Sequence, residues 1–103
     1  MQQKDRLPLR PFLFLFLACL QFLAHPVHAQ KAKADSLTRI LATEKKDTSR
    51  VTLLWKIASA TSLYNPDTAL TIAFESLSLA RKSNYTEGES RATGILGNIF
   101  IRI

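Results

Sequence analysis

Asn65-Pro66-Asp67-Thr68-Ala69-Leu70-Thr71-Ile72-Ala73-Phe74 carries three independent signals of a helix start in its first three residues. Asn65 suits the N-cap, where its side chain can accept a free backbone N–H. Pro66 suits the first helical position, where its missing N–H costs nothing, and Asp67 faces the positive end of the helix dipole. Ala69, Ile72, Ala73, Leu77 and Ala80 then form one apolar stripe at helical spacing, widened by Leu70 and Phe74, and Arg81 and Lys82 close the helix at its negative end. Asn84 suits a left-handed terminator, with Tyr85 folding back on the helix end.

The flanking segments repeat this logic. Upstream, Asp47, Thr48 or Ser49 can accept the first N–H groups of a helix on which Val51, Leu54, Ile57, Ala58 and Thr61 share one side and Trp55 flanks the stripe. Downstream, Thr86 and Glu89 have the spacing of a capping box, opening a helix with the stripe Ala92, Ile95, Leu96, Ile99 and Phe100. Before these three, Asp35-Ser36 suits the cap of a short helix carrying Leu37, Ile40 and Leu41, reached by a polar linker. The chain therefore reads as all-α, with antiparallel helices joined by short turns.

The N-terminus has a different character. Lys4, Arg6 and Arg10 precede the apolar run Phe12 to Ala24, and Val27-His28-Ala29 places small residues where a signal peptidase reads. This predicts a signal peptide over 1–29, cleaved after Ala29, and an exported, periplasmic or extracytoplasmic protein. A membrane anchor needs about 20 apolar residues, whereas Gln21 interrupts this run and Pro11 and Pro26 bound it. A lipoprotein reading centred on Cys19 is weakened by Phe16 three places before it.

Cleavage would remove the single cysteine, Cys19, and both histidines, His25 and His28. The mature chain then has no residue for a disulfide, a zinc site or a His-activated nucleophile, and its carboxylates are scattered over helix starts and surfaces, with capping the expected role of Asp35, Asp47, Asp67 and Glu89. We therefore expect no enzyme activity, cofactor or metal. Three positive charges and one negative leave with the signal peptide, so the formal net charge of +6 falls by two. The remaining basic residues are dispersed, with no run that reads as a nucleic-acid stripe. Gly88, Gly94 and Gly97 lack the order and the preceding strand of a phosphate loop, and close helix packing is the expected role of Gly97.

Ile57-Ala58-Ser59-Ala60-Thr61 aligns on Leu96-Gly97-Asn98-Ile99-Phe100 at a shift of about 39 residues, in the range of periods that marks a helical solenoid. Leu96-Gly97-Asn98-Ile99-Phe100 resembles the first-helix signature of the tetratricopeptide repeat. Asn65-Pro66-Asp67-Thr68-Ala69-Leu70, continuing through Ala73 and Leu77, resembles the start of the second helix, with Ala69 at the small position. Thr61, Ser76 and Thr93 depart from that pattern. The resemblance implies a helix pair over 48–85, the first helix of an incomplete second repeat over 86–103, and 30–47 as linker and short helix. Together with the export signal it is similar to the N-terminal sensory regions of Bacteroidetes-type two-component sensor kinases that carry such repeats. It implies a protein or peptide partner, or neighbouring repeats, and contact with a membrane only through the signal segment or a later helix. Polar residues on first helices would line the binding face, which points to Ser59 and Asn98. Trp55 and Tyr64 are packing residues first, with Trp55 a further candidate for the interaction surface. A small exported helical-bundle carrier or enzyme is the competing reading.

Overall fold

A computed structural model of the chain describes residues 9–23 and 26–103, and every element among them is a helix. We number them α1 (Leu9–Leu23), α2 (Pro26–Thr43), α3 (Asp47–Thr61), α4 (Pro66–Lys82) and α5 (Thr86–Arg102). The leader residues Lys4, Asp5 and Arg6 lie outside the described residues, as do Ala24 and His25. Consecutive helices from α2 to α5 pack on one another, and α3 also packs on α5. The chain is all-α.

Turn chemistry sets the boundaries of α4 as the sequence implies. The Asn65 side chain accepts from the Thr68 N–H at 3.2 Å, and Pro66 opens the helix. At the other end Asn84 takes φ 56°. Its N–H donates to the Arg81 carbonyl at 3.2 Å and the Tyr85 N–H donates to the Ala80 carbonyl at 2.8 Å. This is the Schellman arrangement, which satisfies two of the last carbonyls and reverses the chain within three residues.

The other helix starts differ from expectation. No side-chain cap forms at α3 or α5, whose N-cap residues are Lys46 and Tyr85. The capping box at Thr86 and Glu89 is not made: Glu89 instead accepts from Arg81 Nε at 3.0 Å, tying the end of α4 to the start of α5. Both side chains are largely exposed, so the pair adds well under 1 kcal/mol. At α2 the correction is larger. Residues expected to form a polar linker belong to the helix, so Asp35 and Ser36 sit in its interior and cap nothing. The helix end is held by Arg50 of α3, whose Nη1 donates to the Glu44 carbonyl at 2.9 Å and the Leu41 carbonyl at 3.3 Å. Ala34, in the expected linker, is buried.

The core contains most of the predicted stripes: Val51, Leu54, Ile57, Ala58 and Thr61 of α3, Ala69, Ala73, Leu77 and Ala80 of α4, and Ala92, Leu96 and Ile99 of α5. Leu70, Ile72 and Ile95 pack against it from its edge. Three residues of the predicted stripes stay out: Ile40 is 51% exposed, Phe74 50% and Phe100 54%, and the two phenylalanines meet edge to face with ring centroids 6.5 Å apart. Five core positions are alanines with no exposed surface, Ala58, Ala69, Ala73, Ala80 and Ala92. Each buries little area, so the interface gains its energy from close approach of the helices. Ser76, also fully buried, donates its hydroxyl to the Val51 carbonyl at 2.9 Å and links α4 to α3 through this narrow gap.

Glycine roles are redistributed. A Cβ on Gly88 would lie 2.5 Å from the Tyr85 ring and 2.5 Å from Val51 Cγ1, so this buried glycine lets α5 close on α3. Gly97, expected to serve close packing, meets nothing within 4 Å of where its Cβ would stand. Its aligned counterpart Ala58 is buried in the core, whereas Gly97 lies on an exposed face of α5.

Opposite outcomes follow for two alanine substitutions in one helix. Gly88→Ala should lower stability by about 1–3 kcal/mol through overpacking. Gly97→Ala should raise it by up to about 1 kcal/mol through helix propensity alone. Urea denaturation midpoints of the two variants check both signs.

Candidate functional site

α3 and α5 pack on each other and both on α4, and along them lies a surface trough made of two adjoining cavities. The first, of about 210 Å³, brings together Ser59 and Ser62 at the end of α3, Asn98 and Arg102 at the end of α5, and Gln30 and Lys33 from α2. The second, of about 730 Å³, lies along Trp55 of α3 and the first turns of α5, with Arg91 among its lining residues. Ile95 and Asn98 line both, so these two residues border the two cavities.

Helix geometry explains the grouping. On α3, Trp55 and Ser59 are four residues apart and lie one above the other; on α5, Arg91, Ile95, Asn98 and Arg102 follow the same i, i+3, i+4 rule. Packing of α3 on α5 then sets the two rows side by side. Thus the structure places Ser59 and Asn98 at the first cavity and Trp55 and Asn98 at the second. Tyr64 lines neither.

The surroundings of Trp55 are cationic. Its half-buried ring has Lys56 Nζ 5.8 Å from the centroid and the Arg91 guanidinium at the same distance, within the range of cation–π attraction. At the far end Arg102 Nη1 donates to Ser62 Oγ at 3.3 Å, bridging α5 to the turn after α3. Glu87 is the one carboxylate among the described residues lining the two cavities.

Gln30, Lys33, Arg91 and Arg102 are not among the residues that the sequence points to for this surface. The first two fell in the expected linker, and their i, i+3 relation becomes visible only once α2 is extended back to Pro26. Arg91 and Arg102 read as ordinary solvated charges because nothing in a single helix shows which face a neighbour will border.

Among the described residues no group of three His, Cys, Asp or Glu side chains is placed to hold a metal ion. Cys19 is exposed on α1, away from the trough. A shallower hollow between α2 and α3, lined by Ile40, Thr48 and Leu53, brings together no cationic side chain.

No family model matches the chain, and neither a curated protein nor a solved structure does.

Proposed function

We propose that the chain is an exported helical-repeat module that presents the α3/α5 trough to a protein or peptide, as the extracytoplasmic part of a signal-transduction receptor. The observation that carries this reading is that Trp55, Ser59 and Asn98 line two adjoining cavities along α3 and α5, with Asn98 common to both. Stacked helix pairs expose such surfaces, and binding on them uses polar and aromatic side chains of the lining helices. Support for the solenoid arrangement comes from α3 and α5. They begin at Asp47 and Thr86, the same offset that aligns Ile57 with Leu96, and both pack on the intervening α4. The tetratricopeptide-like motifs at Asn65 to Leu70 and Leu96 to Phe100 agree with that arrangement.

Export is supported by the composition of α1. Leu13, Phe14, Leu15, Phe16 and Leu17 are all more than half exposed, an apolar surface suited to a targeting segment and costly on a folded domain. No helix among the described residues is long and apolar enough to cross a membrane. Cleavage after Ala29 would take Pro26 to Ala29, the first turn of α2, and leave Ala34 in the core.

The alternative, a small exported helical-bundle carrier or enzyme, would require a bound cofactor or a turned-over substrate on the purified protein.

N-terminal sequencing of exported material checks the address. The expected first residue is Gln30, and material beginning at Met1 would contradict processing. For the trough, the full chain is screened against a charge-balanced random peptide library. Peptides enriched on the parent chain should be lost on Asn98→Trp, which fills the trough where its two cavities adjoin. Peptides retained by that variant, or no enrichment at all, would contradict the peptide-binding role.

A further inference from the structure

Processing after Ala29 would create a group that the precursor lacks, a free α-amine on Gln30, and the fold determines where that amine stands. Removal of Pro26 to Ala29 leaves Gln30 as the first residue of α2, whose helical course continues to Thr43. An ammonium group there has unfavourable surroundings. The unpaired N–H groups of a first helical turn form the positive end of the helix dipole. Lys33 lies one turn along the same face of α2, and Gln30 and Lys33 line one cavity with Arg102 of α5. The other polar residues lining that cavity are the uncharged Ser59, Ser62 and Asn98, and no carboxylate is among them. Lys31 adds a positive charge at the next position, and the first carboxylate of the mature chain, Asp35, is more than a turn further along α2.

Gln30 carries the means of removing this charge. Attack of its α-nitrogen on its own side-chain Cδ closes a five-membered lactam. The N–Cδ bond forms, the Cδ–Nε2 bond breaks, and the amide nitrogen leaves as ammonia with the proton given up by the amine. The step needs no oxidant, cofactor or second residue, and its product, pyroglutamate, is uncharged at the N-terminus. We propose that Gln30 of the mature chain is converted to pyroglutamate, and that the cationic cavity at the start of α2 favours the conversion. The proposal rests on the reading of 1–29 as a cleaved export signal. Lys33, Arg102 and the helix dipole act in two ways. They disfavour the protonated amine, which raises the fraction present as the nucleophile, and they are relieved of a like charge when the ring closes. At the first helical residue the amine has no partner in the hydrogen-bond ladder, so cyclisation costs the helix nothing there.

The full chain is expressed with export, and the N-terminal peptide of the mature protein is read by mass, since a cyclised terminus has no amine for stepwise degradation. The expected peptide begins at position 30 and is lighter than its sequence requires by one ammonia. A Gln30 amine that persists on prolonged incubation at neutral pH would overturn the proposal and leave export intact. A terminus at another downstream residue would also overturn it, because the reacting amine would then belong to a different side chain. A peptide beginning at Met1 would end both readings. The role of the cavity is read from the rate at which the amine disappears after export. Joint replacement Lys33→Gln and Arg102→Gln should slow that rate about threefold, and added salt should slow the parent chain in the same sense. Unchanged circular dichroism of the variant separates this effect from lost folding. Equal rates in parent and variant would overturn the role of the cationic cavity.

Discussion

Close approach of α3 to α4 and α5 is the constraint on which the described structure depends. Ala58, Ala69, Ala73, Ala80 and Ala92 contribute little apolar area one by one, and Gly88 contributes none. Their value is the space they leave unfilled, which lets larger residues such as Val51, Leu96 and Ile99 reach across and make dense dispersion contacts. The Ser76 hydroxyl on the Val51 carbonyl fits the same gap. A buried serine needs a partner, and here a backbone carbonyl of the facing helix supplies it without a second polar side chain.

The trough is a by-product of that packing. Because α3 and α5 pack on α4 and on each other, side chains of the two helices border the same cavities. Residues at helical spacing then share a lining, Ser59 with Asn98 and Arg102 at one cavity and Trp55 with Asn98 at the other, in a way that their sequence positions do not show. α2 completes one end by laying Gln30 and Lys33 beside the last turn of α5. Its position is fixed in turn by Arg50, which grips the carbonyls at the end of α2, and by buried Ala34.

Helix starts and stripes were legible wherever local chemistry alone decides them. Asn65-Pro66 and Asn84-Tyr85 behave as their side chains and backbone preferences require, and the stripes of α3 and α4, apart from Phe74, face inward as their periodicity implies. Three features were illegible because a distant partner decides them. Glu89 serves Arg81 in place of its own helix start, since an ion pair across the α4–α5 turn competes for the same carboxylate. Gly97 and Gly88 look alike in sequence, yet only Gly88 is opposed by another helix. The stretch after Pro26 has a weak apolar pattern, and its helical state is secured by packing on α3. For the trough, the repeat-like pattern pointed to Ser59 and Asn98, and both line its first cavity. The cations that give it a sign required knowing which faces adjoin.

Native-state hydrogen exchange on the full chain tests the central claim, that α3, α4 and α5 form one closely packed unit. If they do, the amides of Leu54 to Ala60, Leu70 to Ala80 and Ala92 to Ile99 should exchange with a common opening free energy, and that value should fall together in Gly88→Ala. Slow exchange in α3 and α4 with rapid, independent exchange in α5 would contradict the account, because it would mean that α5 is held by the chain connection and the surface ion pair alone.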